Sequence, residues 1–216
     1  MHLHIFVAGL VAAVPIMALL AATIVHQRLR FWPTPGPGTW QSLAFWFLFR
    51  TLNMATLSLA ALDHEAEFWL PWDVRALGLA VFLGSGALYL YTLFALGRAN
   101  TYCRRGGLVT DGVYRWTRNP QYATVIPAYA GLAVAVPTAG VITLAVLLIG
   151  VYVLMAHAEE PWLRLQYGDA YERYSRAVPR FYNLTRALRM LRGATPGPLR
   201  ANPVASRRGG RRTHKP

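Results

Sequence analysis

The residues best equipped for chemistry lie in two stretches, GGLVTDGVYRWTRNPQY from Gly106 to Tyr122 and the pair Glu159-Glu160. In the first, Gly106, Gly107 and Gly112 let the backbone turn sharply and approach a ligand where a Cβ would intrude. Asn119-Pro120 reads as a helix start, with Asn as the cap and Pro at the first helical position, where its missing N–H costs nothing. The first backbone donors of that helix, beside Arg115 and Arg118, make a site suited to a carboxylate or a phosphate. A basic loop at a membrane face with an ordinary helix cap accounts for the same residues. The two carboxylates stand where a long apolar run ends. A helix C-terminus disfavours negative charge there, unless Pro161 opens a new helix and makes them its N-terminal acids.

Three other groups have the right residue types. Arg50 sits near the middle of the apolar stretch Trp40–Leu62, with Asn53 three residues on and therefore on the same helical face. An arginine at that depth costs at least ~2.5 kcal/mol on insertion scales, so it is expected to face a cavity or a partner, where it would help bind the polar end of a substrate. Pairing with a helix carbonyl, or simply holding the bundle together, explains it equally well. Asp63-His64-Glu65-Ala66-Glu67 contains metal-ligand types, but its spacing matches no helix-borne ligand pattern and reads as a solvated acidic loop, so no metal is expected. Cys103 is the only cysteine, which excludes an internal disulfide, and it reads as an inert thiol.

The elements that must position these residues are membrane helices. Of the 216 residues, 55% are hydrophobic and only 14% charged, and the apolar ones come in long runs. Ile5–Val25 and Ala76–Leu96 are each 21 residues without a charge, enough to cross a ~30 Å hydrocarbon core at ~1.5 Å per residue. Tyr122–Ala158 lacks any Asp, Glu, Lys or Arg and is broken by Pro137-Thr138-Ala139-Gly140, the pattern of a helical hairpin crossing twice. With Trp40–Leu62 this predicts an all-α polytopic bundle of about five transmembrane helices.

The net charge of +13 is spread over loops and tail and forms no base-reading motif, so nucleic acid is not expected as a partner. Arg28 and Arg30 follow the first span, Arg98, Arg104, Arg105, Arg115 and Arg118 follow the third, and acids gather between the second and third. The positive-inside rule then puts the N-terminus outside and the 106–122 loop, the Glu pair and the C-terminus in the cytoplasm of a multi-pass cell-membrane protein. Residues 1–97 read as scaffold, 98–181 as the catalytic region and 182–216 as a basic segment and tail. The spacing of Tyr167, Tyr171, Tyr174 and Val178 predicts one amphipathic cytoplasmic helix ended by Pro179. Phe181 to Arg192 alternates leucines with arginines, as suits an anionic membrane surface, and 193–216 has no acidic residue and the composition of a disordered tail.

As an ordered set, Gly107-Leu108-Val109, Gly112-Val113-Tyr114, Arg118-Asn119-Pro120, Tyr122, Glu159-Glu160, Leu163, Tyr167-Gly168, Tyr171, Tyr174 and Val178-Pro179-Arg180-Phe181 resemble the isoprenylcysteine carboxyl methyltransferase and phospholipid methyltransferase superfamily. The resemblance covers roughly Gly106 to Phe181. It implies an integral membrane enzyme that moves a methyl group from S-adenosylmethionine to a lipophilic or small nucleophilic acceptor. By position it implies cofactor contacts at Gly107, Leu108, Val109, Tyr114, Asn119, Pro120, Tyr122 and Glu159, and catalytic roles for Arg118 and Glu160. Arg50 and Asn53 are the substrate candidates. The chemistry of the donor fits those residue types: a carboxylate for the arginines and helix start, an ammonium for the glutamates, an adenine for the aromatics. Two positions depart from the family pattern. Asn119 stands where His is commonest, and Met155 stands where the prenylcysteine enzymes carry an arginine for the substrate carboxylate, so a prenylcysteine acceptor is not supported.

Two rival readings use the same residues. An NADPH-dependent membrane sterol-type reductase would employ Arg104, Arg105, Arg115 and Arg118 on the cofactor phosphates, although the acidic pair suits an ammonium-bearing ligand better. A non-catalytic membrane protein that keeps the fold is the other.

Overall fold

The structure is a computed structural model that describes residues 1–26, 28–63, 69–101 and 108–182, with 95–101 as backbone only. Among the described residues six α-helices follow one another: α1 His2–Val25, α2 Trp40–Leu62, α3 Trp72–Thr101, α4 Pro120–Ala135, α5 Ala139–Tyr167 and α6 Asp169–Ala177. Among the described residues there is no strand, and the all-α expectation holds. The starts of α2 and α5 are fixed by local chemistry: the Thr39 hydroxyl accepts the Ser42 N–H and the Thr138 hydroxyl accepts the Val141 N–H, both at 3.3 Å.

Among the described residues four helices are long and apolar enough to cross a membrane: α1, α2, Trp72–Phe94 of α3, and α5. The predicted hairpin is present as α4 and α5, but α4 runs only from Pro120 to Ala135. Sixteen residues reach ~24 Å, short of the hydrocarbon core, because Pro120 sets its start and Pro137 prevents its continuation. The apolar run that suggested a fifth full span includes residues that belong to the turn and to α5.

The core lies where α1, α2, α4 and α5 meet. Ile16, Leu20, Phe45, Leu52, Leu144, Leu148 and Val151 are wholly or almost wholly buried there. The proline-rich connection between α1 and α2 joins this core. Phe31 and Trp32 are buried, Trp32 stacks on Phe45 at 4.5 Å, and the Phe31 N–H is held by the Thr23 hydroxyl at 3.0 Å.

α3 packs chiefly on α4, and between Trp72 and Phe94 it is otherwise largely exposed. The contact is backbone to backbone: a Cβ on Gly78 would lie 2.8 Å from the Gly131 carbonyl oxygen, and one on Gly131 would lie 2.7 Å from that of Gly78. A Cβ on Gly84 or Gly86, further along the same helix, would meet nothing within 4 Å.

Polar contacts gather the helix ends. At one end Asp63 accepts from the Thr138 hydroxyl at 2.7 Å and meets His2 at 2.7 Å, Trp69 donates to the Pro137 carbonyl, and Arg75 donates to that of Ala135. The starts of α1, α3 and α5 and the ends of α2 and α4 are therefore together. The opposite end holds the 108–119 segment, the last turns of α5, and α6.

Candidate active site

Gly112, at φ +59°, opens a short 3-10 turn over Gly112–Arg115 that brings Tyr114 inward. Tyr114, Tyr171, Tyr174 and Val178 form a second, smaller core, with Leu108, Val109, Leu163 and Tyr167 packed on it. Hydrogen bonds lace the two segments together. The Tyr174 hydroxyl donates to the Tyr114 carbonyl at 2.8 Å, the Arg118 N–H to the Pro179 carbonyl at 2.9 Å, and the Thr117 hydroxyl and Asn119 Nδ2 to the Arg180 carbonyl at 2.9 and 3.1 Å. Asn119 stands at the helix start as predicted. Its side chain, turned toward Arg180, accepts no helix N–H, so only its backbone serves as the cap.

Glu160 is the ionic centre of this arrangement and is 4% exposed. Arg180 grips it as a fork, donating Nε–H to Oε1 at 2.7 Å and Nη2–H to Oε2 at 2.8 Å. Nη1 of Arg118 approaches Oε1 at 3.1 Å and also donates to the Tyr171 hydroxyl at 3.2 Å. Arg164 stands 3.8 Å from Oε2. Arg180 reaches His157 as well, donating Nη1–H to its Nε2; His157 Nδ1–H in turn donates to the Val153 carbonyl, which sets the tautomer. The hydrogen bonds to Glu160 raise the Arg180 pKa further. Burial, reinforced by the Glu160 charge, pushes the Tyr171 phenol up to about 12. Nε of Arg118 is buried and has no acceptor among the described residues.

Glu159, half-buried, points elsewhere on α5. The Tyr122 hydroxyl donates to its Oε2 at 3.0 Å across the α4–α5 contact. From Tyr122 a column of aromatic rings runs into the bundle: Tyr152 lies 6.0 Å from Tyr122, Tyr129 lies 6.2 Å from Tyr152, and the Tyr129 hydroxyl donates to Asn53 at 2.6 Å. A half-buried carboxylate, a buried guanidinium with an unmet donor, and an aromatic column thus occupy the same end of the bundle.

Residues 74–170 match the phospholipid methyltransferase family model. The methyltransferase match runs from α3 to the first turn of α6 and contains Tyr122, Glu159 and Glu160, while α1, α2 and everything after Ala170 lie outside it. The superfamily resemblance read from the motifs is borne out over that region, and the class it supports is that of a membrane methyltransferase. No curated protein and no solved structure matches the chain.

Of the residues expected to serve the methyltransferase site, Leu108, Val109, Tyr114, Arg118, Asn119, Pro120, Tyr122, Glu159 and Glu160 are at one end of the bundle. Gly107 lies outside the described residues, as do Gly106, Cys103, His64, Glu65, Glu67 and the basic segment beyond Tyr182. Arg115 is apart from Arg118, exposed and paired with Asp111 at 3.2 Å. Asn53 faces α4, but Arg50 does not accompany it. The Arg50 guanidinium lies exposed over the Trp46 ring at 5.5 Å and lines a groove with α1. The single helix expected from Tyr167 to Val178 is two, since Gly168, at φ +51°, ends α5 and starts α6.

Sequence reasoning gave no role to Arg180 or His157. His157 had a signal, lying three residues before Glu160 on the same helical face. Arg180 had none beyond its place in a motif, because its partner is 20 residues away.

Proposed function

We propose that the protein is an S-adenosylmethionine-dependent methyltransferase whose acceptor is a lipophilic nucleophile, foremost a phospholipid amine, and whose site opens to the cytoplasm. The observation that carries this is the meeting of Tyr122 and Glu159, 37 residues apart in the chain, within the region matched by the phospholipid methyltransferase family. The residues suit the donor. Glu159 offers a carboxylate to its ammonium, and the buried Nε–H of Arg118 is a donor in want of an acceptor such as its carboxylate. Leu108, Val109 and Tyr114 offer an apolar and aromatic wall for the adenine, with Gly107, Asn119 and Pro120 completing the grip. When bound, the donor supplies a sulfonium methyl group, whose positive charge is lost as the acceptor bonds.

The protein's own work is then positioning and exclusion of water. Glu160 is committed to Arg180 and Arg118, so it acts as a positioning residue that aims Arg118 and ties α5 to the 108–119 segment. Asn53 and Tyr129 mark the deep end of the aromatic column, where the acceptor's apolar body would lie. Met155 is buried and offers no charge for an acceptor carboxylate, which favours an uncharged nucleophile such as an amine.

Titration calorimetry on detergent-purified protein tests the reading, with S-adenosylhomocysteine expected to bind and NADPH not. Binding of NADPH alone would support the reductase instead, and binding of neither the non-catalytic reading. Native membranes incubated with a methyl-labelled donor are expected to yield a labelled lipid.

A further inference from the structure

A groove of about 700 Å³ lies between α1 and α2, on a different face of α2 from Asn53 and its Tyr129 partner. Ile5 and Ala8 of α1 and Ser42, Trp46, Arg50 and Ser58 of α2 line it. Its size falls within the ~300–1,000 Å³ of small-molecule sites. From Ser42 to Ser58 it extends for ~24 Å along the helix, the shape of a site for an elongated molecule and not a compact one. The walls are chiefly apolar, and the one charge is Arg50.

That charge is unmatched within the membrane. Among the described residues Arg50 has a ring contact with Trp46 and no ion pair, and α1, α2 and α4 contain no acid. The acids at the cytoplasmic end of α5 are engaged by Tyr122 and by Arg180. A guanidinium at mid-span facing lipid costs several kcal/mol unless an anion or water joins it, so the anion has to come from outside the chain.

Its depth decides the kind of anion. Arg50 is ten residues past Trp40 and twelve before Leu62, ~15 Å and ~18 Å from the two ends of α2. The guanidinium lies over Trp46, one turn nearer the Trp40 end, yet that ring is still six residues, ~9 Å, inside the helix end. Phospholipid phosphates, which sit outside a ~30 Å hydrocarbon core, stay beyond contact, whereas a single-chain acid can slide to that depth.

We propose that the α1–α2 groove is a binding site for a single-chain carboxylate amphiphile of the fatty-acid type, with its carboxylate on Arg50 and its chain along α1 and α2. The Ser42 and Ser58 hydroxyls lie toward the two ends of the groove. Trp46, under the guanidinium, keeps Arg50 aimed along it. The site is separate from the methyl-transfer region and stands whether or not that region acts on S-adenosylmethionine.

The test uses the full-length protein in phosphatidylcholine nanodiscs, photolabelled with diazirine-bearing palmitate and mapped by peptide mass spectrometry. Labelling is expected on the α1 and α2 peptides. Unlabelled palmitate should compete at least tenfold better than methyl palmitate, which has the chain without the charge. Arg50→Met is expected to lower labelling about tenfold and Arg50→Lys less. Ala8→Trp, which fills the groove and keeps the charge, should also abolish it, so the test survives if Arg50→Met does not fold. Label spread evenly over the lipid-facing helices, or competition by methyl palmitate as strong as by palmitate, would overturn the proposal. Phosphatidylglycerol competing as well as palmitate would overturn it too, by assigning the groove to a headgroup.

Discussion

At the residue scale the adjacent glutamates do different work, because neighbours on a helix point about 100° apart. Glu160 is buried in a cage of arginines, whereas Glu159 is half-buried and accepts from the Tyr122 phenol. Replacing Glu160 by Gln removes the charge that Arg180 and Arg118 surround and is expected to destabilise the protein by ~3–5 kcal/mol, read as a lower thermal midpoint. Arg180→Met should cost a similar amount, and the double variant much less than the sum, since both break one network. Glu159→Gln is expected to leave the midpoint nearly unchanged and to weaken S-adenosylhomocysteine binding at least tenfold, the loss of one charge-assisted hydrogen bond at ~1.5–3 kcal/mol. Unaltered affinity in that variant would remove Glu159 from the donor site.

The buried phenols give a pH signature at the same scale. Tyr171 titrates near 12 in the folded protein, and Tyr174 is raised further, chiefly by burial. Their unfolded values lie near 10, so between those limits the folded state holds protons that the unfolded state has released. Stability is therefore at its full value below pH 10 and falls as pH rises toward 12. Ultraviolet titration of phenolate should show these tyrosines ionising late, together with loss of structure. Early, fully reversible ionisation of all 11 tyrosines would contradict the buried aromatic cluster.

At the element scale, what positions the site is continuity in α5 and contact in α3–α4. α5 passes through Pro161 without stopping, so Glu159 and Glu160 belong to its interior and face no uncapped C-terminus. The helix has its break later, at Gly168, where a positive φ turns α6 back under the 108–119 segment. The α3–α4 crossing relies on Gly78 and Gly131, whose missing side chains let the backbones touch. Gly131→Leu is expected to push the helices apart and cost a few kcal/mol by overpacking, while Gly84→Leu, with open space around it, should be nearly neutral. Equal denaturation midpoints in a detergent series for the two variants would mean that α3 is not seated as described.

At the scale of the whole molecule, the ends of the helices alternate, so α4 runs antiparallel to both α3 and α5 even though it falls short of a full span. If the bilayer treats α4 as a crossing, the chain passes five times and its termini lie on opposite sides. Reporter fusions are expected to place the N-terminus outside and the C-terminus in the cytoplasm, in keeping with the arginines after α1 and α3. Termini on one side would show that α4 does not cross.

The long apolar runs, the all-helical fold, the hairpin and the resemblance to the methyltransferase family were legible in the sequence alone, because run length, charge placement and an ordered set of motifs are one-dimensional properties. It also named most of the residues at the candidate site. Tertiary structure decided which of them meet. Arg180 reaches back 20 residues to Glu160, the Asn119 side chain turns from its helix to the Arg180 carbonyl, and Gly78 meets Gly131 across the α3–α4 contact. Arg50 and Asn53, three apart and expected to act together, face different surroundings, since α2 has α4 on one side of it and the α1 groove on another. Helical periodicity tells which residues share a face, but packing alone determines what that face meets.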